Sequence, residues 1–347
     1  MLKIGINGLG RIGRAILRIN TISDTFKIVA VNDTNPSNEN LKYMLKYDST
    51  YGVFDKQLEA DDNSITIDSR DSISIHHEEK ISDVPWDIYN TDIVIDSSGI
   101  HENLFFKNEL KSKGVKHQIV TNTPDSDEID SYIILGVNED ALDQDSFLIS
   151  SSICDASAVA PVLNVLNKKY GIEHGFLTTL HPWLSYQNLL DGPSRSFAYP
   201  GTIIDNFTLG RASLNAIIPK TTSAIRASGK VLEYLNDKFQ SLSFRVPTSI
   251  VSTADISVKI ENHVNKEEII NLFKKEEEEQ NLKIYKNNFD PLISTDFVKS
   301  EYSAIIDHRW TDINESSYLK LVLWYDNEWG YSSRVVDLVK ELSKKYN

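Results

Sequence analysis

The run Gly8-Leu9-Gly10-Arg11-Ile12-Gly13 constrains the fold of this chain most, because it follows an apolar run at residues 2–7 and opens a helical pattern over residues 11–20. Each glycine has a separate task. Gly8 permits a tight turn, Gly10 lets the backbone approach a pyrophosphate, and Gly13 lets the helix press against the sheet; the helix start offers free N–H groups to the phosphates. A second apolar run at residues 27–32, Lys27-Ile-Val-Ala-Val-Asn32, completes a βαβ unit, and that crossover makes the two strands parallel. Asp33 ends this strand 20 residues beyond Gly13, where a carboxylate can accept hydrogen bonds from ribose hydroxyls. A 2′-phosphate there would meet a like charge, so the dinucleotide expected is NAD rather than NADP. A cap or turn role for Asp33 beside Asn32 and Asn35 is the competing reading.

Further buried-strand runs at Ile93-Val-Ile-Asp96, Gln118-Ile-Val-Thr121 and Tyr132-Ile-Ile-Leu135 extend the pattern to an N-terminal Rossmann, doubly wound parallel sheet over residues 1–152. Beyond it, a helical segment from Ala156 to Tyr170 gives way to strand-like runs at Gly175–Leu180, Ser243–Val246 and Ala254–Lys259. This texture predicts an α+β second domain with a mixed or antiparallel sheet over residues 153–331. The stretch from Pro182 to Gly210 is long, irregular and rich in Gly, Pro, Ser and Tyr, as functional loops often are. A final apolar repeat at helical spacing, within residues 332–347, is expected to return to the first domain. The run Lys274-Lys-Glu-Glu-Glu-Glu-Gln280 reads as the solvated face of a helix.

A formal charge of -14 and a pI near 5.1 disfavour nucleic acid and anionic membrane as partners. Compact metabolites remain. The N-terminus enters a strand pattern without a charged leader or cleavage site, and no window approaches the roughly 20 apolar residues of a membrane span. The expected location is the cytoplasm. A single cysteine excludes an internal disulfide, and no dense His/Cys/carboxylate cluster is visible along the chain, so no metal is expected.

That cysteine, Cys154, stands in Ser150-Ser-Ser-Ile-Cys154-Asp-Ala-Ser157, just before the predicted helix, where free N–H groups and the helix dipole would lower a thiol pKa. A lone cysteine is more often a buried small hydrophobe, but the helix start and a base candidate favour a nucleophile. The base candidate is His181 in Leu177-Thr-Thr-Leu-His181-Pro182, placed to hold the thiolate as an ion pair and to take a proton during oxidation. The other seven histidines are expected mostly at the surface.

These residues resemble the glyceraldehyde-3-phosphate dehydrogenase family, including its erythrose-4-phosphate dehydrogenase branch, over nearly the whole chain. The carriers are Ile4–Arg14, Leu45-Lys-Tyr-Asp-Ser-Thr-Tyr-Gly52, Asp96-Ser-Ser-Gly99, the segment from Cys154 to Pro161, Thr178-Thr-Leu-His181, Ser243-Phe-Arg245-Val-Pro-Thr248 and Trp324-Tyr-Asp-Asn327-Glu-Trp-Gly330-Tyr331. The resemblance implies a homotetramer that oxidises a small aldehyde with NAD through a thiohemiacetal and a thioester on Cys154. It places Arg11 and Ile12 near the pyrophosphate, adds Ser98 and Asn122 to the cofactor contacts, sets Asn327 on the nicotinamide carboxamide and Tyr331 near the ring, and uses Pro193 to help exclude a 2′-phosphate. It gives Ser152, Asp155, Thr222, Ser223 and Arg245 to substrate binding.

The departures cluster around phosphate. Where the family has Cys-Thr-Thr-Asn-Cys, this chain has Cys154-Asp-Ala-Ser-Ala158. Where it has Ala-Tyr-Thr-Asn-Asp-Gln after the histidine, this chain has Pro182-Trp-Leu-Ser-Tyr-Gln187; Lys220-Thr-Thr-Ser223 stands for Thr-Thr-Thr-Gly, and Leu209 for a common arginine, while Arg211 is kept. A carboxylate about 6 Å from a doubly charged phosphate, at an effective dielectric of about 20, opposes binding by several kcal/mol before screening. The expectation is therefore oxidation of a small aldehyde, phosphorylated or hydroxylated, without obligatory inorganic phosphate. The competing expectation is a catalytically weak NAD-binding paralogue serving as scaffold or regulator.

Overall fold

The computed structural model describes residues 1–69, 71–196 and 198–346, which form two compact units. The first comprises Met1–Ile133, Asp140–Ser151 and Ser332–Asn347; the second, Ile134–Glu139 and Ser152–Tyr331.

In the first unit the strands are β1 (Lys3–Asn7), β2 (Lys27–Asn32), β3 (Leu58–Ala60), β4 (Ser64–Ile67), β5 (Asp71–His76), β6 (Ile93–Asp96), β7 (His117–Val120), β8 (Ser131–Tyr132) and β9 (Leu148–Ser150). They form one sheet in the order β3-β4-β5-β2-β1-β6-β7-β9-β8. Pairings from β5 through β2, β1, β6, β7 and β9 to β8 are parallel, and only the β3-β4-β5 edge is antiparallel. This is the expected doubly wound sheet. β6 and β7 are buried along their whole length, as strands covered on both faces must be. The first helices are α1 (Arg11–Ser23), α2 (Asn38–Lys46) and α3 (Lys107–Ser112).

The run expected as a strand at Tyr132–Leu135 is shorter. Only Ser131–Tyr132 pairs, because Ile134 turns the chain: its N–H donates to Asn138 Oδ1 at 2.8 Å, and Gly136 supplies a φ of +86°.

The second unit adds the long helix α4 (Cys154–Tyr170), then β10 (Ile172–Pro182), β11 (Ile218–Lys220), α5 (Ala224–Gly229), α6 (Leu235–Lys238), β12 (Phe239–Val246), β13 (Ser252–Ile260) and α7 (Lys266–Glu279). It continues with β14 (Tyr285–Asn288), β15 (Ala304–Asp307), β16 (Asp312–Asn314), β17 (Tyr318–Tyr325) and the start of α8 (Trp329–Lys345). The sheet order is β11-β12-β10-β13-β17-β15-β14, with β16 on β17; β10-β12 and β14-β15 are parallel and the remaining pairs antiparallel. The acidic run lies in α7, and an Asn265/Glu268 capping box starts that helix. Most of α4 is buried, with Ala156, Val159, Val162, Leu163 and Leu166 fully inside. Burial of that order, about 1.5–3 kcal/mol for each large aliphatic side chain, fixes the helix whose first residue is Cys154. The loop from Pro182 to Gly210 holds a short 3-10 turn at Phe207–Gly210 and a bridge between Arg195 and Ile203; Phe197 within it lies outside the described residues. Among the described residues no helix is long and apolar enough to cross a membrane.

Candidate active site

Within the first unit the glycine run sits between β1 and α1. Gly8 has a φ of +91°, and a Cβ there would meet Ser98 N at 2.8 Å; one on Gly13 would meet Gly8 O at 2.0 Å. A Cβ on Gly10, the N-cap of α1, meets nothing within 4 Å, and no side chain caps the helix. Two glycines are thus required by packing, while the middle one leaves its backbone open to a pyrophosphate. Asp33 is anchored to this loop: Oδ2 accepts the Leu9 N–H at 2.7 Å and Oδ1 the Asn35 N–H at 2.9 Å. The carboxylate thus closes a turn, as the competing reading expects, and keeps further lone pairs. Arg11 forms an ion pair with Asp48 at 2.7 Å and lies over Tyr51. Ile12 follows it in the first turn of α1. Ser98 donates to the buried Asp96 at 2.6 Å. Asn122 accepts the Ser150 hydroxyl on its carbonyl, while its side-chain Oδ1 is buried without a donor.

The chemistry lies in the second unit. Ser152 takes a φ of +62°, a left-handed conformation that costs a non-glycine residue about 1–2 kcal/mol, and it turns the chain into α4. Its carbonyl accepts the Tyr331 hydroxyl at 2.9 Å. Cys154 follows as the first helical residue. Its Sγ stands 3.8 Å from His181 Nε2 and 3.6 Å from Asp155 Oδ1, and those two acceptors are 4.0 Å apart. The His181 Nδ1 lies 2.8 Å from the Pro182 carbonyl, which can only accept, so Nδ1 carries the proton and Nε2 turns a lone pair to the thiol.

Asp155 is not a helix cap. Ile153 holds the N-cap position without a side-chain bond, and Asp155 Oδ1 instead accepts the Tyr325 hydroxyl at 2.9 Å while Oδ2 accepts the Thr222 hydroxyl at 3.4 Å. The carboxylate is 6% exposed, His181 5% and Arg245 6%. Burial and the Asp155 charge push the Cys154 thiol well above its ordinary range, with Arg245 opposing. Burial and Arg245 push His181 down to about 4, with Asp155 opposing. Desolvation and a neighbouring anion thus act against the expected thiolate–imidazolium pair and oppose the helix dipole.

Strand register brings the cations in. His181 on β10 pairs with Arg245 on β12, which pairs with Ile218 on β11; two residues back, Thr179, Ser243 and Lys220 form the neighbouring row. Alternate residues share a face, so Lys220, Arg245 and His181 lie on one side of the sheet. Burial and Arg245 push Lys220 down to about 8, against the pull of Asp155 and Cys154. The buried Arg245 Nε has no acceptor. Ser223 precedes α5, and its carbonyl accepts the Ala227 N–H. Arg211 is exposed and paired with Asp191 at 2.9 Å, and Pro193 is exposed in the long loop, its carbonyl accepting from Asn188.

Asn327 follows Asp326, whose carboxylate accepts the Glu328 and Trp329 N–H groups and starts α8. The Asn327 Oδ1 is buried without a donor, a deficit that the NH2 of a carboxamide would satisfy. Within the first unit, the open Gly10 backbone and the anchored Asp33 fit the pyrophosphate and ribose of NAD.

Tyr325 and Lys220 were not among the expected site residues. Tyr325 lies within a recognised motif but stands 170 residues from Asp155 in the chain. Nothing in the local pattern of the short edge strand carrying Lys220 marks its charge as inward. Two histidines expected at the surface are buried: His117 in β7 is bonded to Ser146 O, and His308 lies between Thr311 and Asn287. Folding also assembles the cluster absent from the linear sequence, since ligand atoms of Cys154, Asp155 and His181 all lie within 4.8 Å of one another.

Residues 2–104 match the family model described as the NAD binding domain of glyceraldehyde 3-phosphate dehydrogenase, and residues 153–327 match the one for its C-terminal domain. The chain is 37% identical over 348 residues to glyceraldehyde-3-phosphate dehydrogenase 1 of Schizosaccharomyces pombe, covering 99% of each chain. It is 36% identical over 348 residues to the cytosolic enzyme of Gracilaria gracilis, covering 99% of this chain and 98% of that one. Against glyceraldehyde-3-phosphate dehydrogenase 3 of Saccharomyces cerevisiae the identity is 35% over 344 residues, with 99% and 100% covered. The chain belongs to the glyceraldehyde-3-phosphate dehydrogenase family, an NAD-dependent oxidoreductase by that kinship.

Proposed function

We propose that this protein oxidises a small phosphorylated aldehyde with NAD through a thiohemiacetal and a thioester on Cys154, and that release of the thioester does not require inorganic phosphate. The observation that carries this reading is the position of Asp155. Thr222, which the resemblance gives to substrate phosphate, donates its hydroxyl to this carboxylate, and Tyr325 holds the other oxygen. A fixed anion therefore takes up donors that a phosphate would need.

Residues 1–152 with the helix over 332–347 would hold the cofactor through Gly8, Gly10, Arg11, Ile12, Gly13, Asp33, Ser98 and Asn122. Residues 153–331 would carry the chemistry, with Asn327 and Tyr331 on the nicotinamide side and Pro193 helping to exclude a 2′-phosphate. As Sγ attacks the carbonyl carbon, the thiol proton passes to His181 Nε2 or Asp155, and the Cys154 N–H at the start of α4 meets the oxyanion. Bound NAD supplies the hydride acceptor. Water, deprotonated by Asp155, then cleaves the thioester to a carboxylic acid and restores the thiol. Arg245, with Ser152, Thr222 and Ser223, would hold the substrate.

The raised thiol favours a second reading, a catalytically weak NAD-binding paralogue acting as scaffold or regulator. A panel of phosphorylated and unphosphorylated aldehydes, assayed for NADH with and without inorganic phosphate, separates the two. Phosphate-independent turnover of one phosphorylated aldehyde is expected; turnover of none leaves the second reading. Full activity in Asp155→Thr with unchanged phosphate dependence would overturn the role given to Asp155.

The homotetramer implied by the resemblance has support in the outward face of the second sheet, where Phe176, Leu180, Leu242 and Tyr318 are exposed, since apolar surface of this kind marks interfaces. Light scattering at a tetramer mass is the expected result. The cytoplasm is the proposed location, in line with the cytosolic names of several relatives.

A further inference from the structure

We propose that Cys154, Asp155 and His181 form a three-ligand Zn2+ site that reversibly withdraws the nucleophile. The three atoms facing one another are a sulfur, an imidazole nitrogen and a carboxylate oxygen, a donor set that suits this borderline ion. Their separations are 3.6, 3.8 and 4.0 Å. A circle through three points so spaced has a radius of about 2.2 Å, and zinc binds sulfur, nitrogen and oxygen at about 2.0–2.3 Å. A tetrahedral ion stands a little out of that plane, so the side chains close on it by a few tenths of an ångström.

The surroundings complete it. The His181 Nδ1–H is held by the Pro182 carbonyl, which fixes the tautomer with the Nε2 lone pair inward, and Asp155 Oδ1 is held by Tyr325. Such outer bonds, on the far side of a ligating histidine and on a ligating carboxylate, orient metal ligands. Thiolate and carboxylate together balance the charge of the ion, while Arg245 and Lys220 oppose it and weaken the site. Three protein ligands leave a fourth position for water or for an oxygen of the substrate. Binding exchanges the thiol proton for the ion, releases that proton to solvent and changes no oxidation state. With its sulfur lone pair committed to zinc, Cys154 cannot attack an aldehyde.

This inference uses the same three side chains as the proposed reaction but rests on that reading only for its regulatory meaning. The test is therefore a binding measurement on the full chain, freed of metal with a chelator and titrated with Zn2+ against a chromophoric competitor. One ion per chain is expected, absent in Cys154→Ser and weakened at least about tenfold in both Asp155→Asn and His181→Asn. Co2+ in its place should give a thiolate-to-cobalt charge-transfer band, and Zn2+ should slow alkylation of Cys154 by iodoacetamide. Circular dichroism of each variant guards against unfolding. No stoichiometric binding, or binding unchanged in Asp155→Asn, overturns the site. Failure of the aldehyde panel in chelator-containing buffer would instead overturn the catalytic reading and leave the zinc measurement intact.

Discussion

At the scale of single residues, one carboxylate changes the chemistry of its neighbours. Asp155 Oδ1 lies 3.6 Å from Cys154 Sγ and raises the thiol, adding to the effect of burial. Removing that charge must lower the thiol pKa. Asp155→Asn is therefore expected to move the pH profile of iodoacetamide alkylation to lower pH and to speed the reaction at pH 7. An unchanged profile would mean that burial alone holds the proton. Lys220, pushed down to about 8 by burial and Arg245, is raised by the same carboxylate, as the thiol is. The sequence shows Asp155 and its departure from the family pattern but not this geometry. The helix start argued for a lowered thiol, and only the fold reveals that the side chain turns away from the helix N-H groups and toward the sulfur.

Among the elements, the short entry to α4 matters most for the reaction. Ser152 holds a left-handed backbone, and the Tyr331 hydroxyl, donated to its carbonyl at 2.9 Å, ties that turn to the start of α8. Tyr331→Phe removes one buried hydrogen bond from a strained position, which should cost about 1 kcal/mol in urea unfolding. It should also lower kcat more than it raises KM, since the turn sets where Sγ points. Equal stability and kinetics would assign the hydroxyl no positioning role. Elements were legible where periodicity and glycine chemistry agree, as in β1, α1 and β2. They were less legible where tertiary pairing decides. Lys220 reaches the site only because β11 joins the sheet edge beside β12, and Tyr325 because β17 runs next to β13. The βαβ unit declares itself within about thirty residues; these pairings span the second unit.

For the molecule as a whole, buried histidines set the response to acid. His308 Nε2 lies 2.6 Å from Asn287 Oδ1, whose amide nitrogen is committed to Phe273 O and Glu277, so Oδ1 accepts and Nε2 carries the proton. The Nδ1 then accepts the Thr311 hydroxyl at 3.0 Å. Burial, reinforced by Lys274, pushes this imidazole down to about 4. Its unfolded counterpart titrates near 6.5, so between those values the unfolded state binds the extra proton and stability rises with pH. The contribution is complete above about pH 6.5 and is lost as pH falls toward 4, amounting to about 1–3 kcal/mol for this group. The lowered aspartates Asp48, Asp92, Asp130 and Asp307 lose their contributions only below the ordinary carboxylate range, which separates the two windows. Protonation also reduces a net charge of -14, which relieves self-repulsion and acts in the opposite direction, but that effect is spread over the surface and screened by salt. In high salt, the urea midpoint of the natural chain should therefore fall from pH 6.5 to 4.5, and the His308→Gln variant should show a shallower slope over the same interval whatever its absolute stability. Parallel slopes would mean that His308 titrates alike in the folded and unfolded chain, which its two hydrogen bonds and buried position argue against.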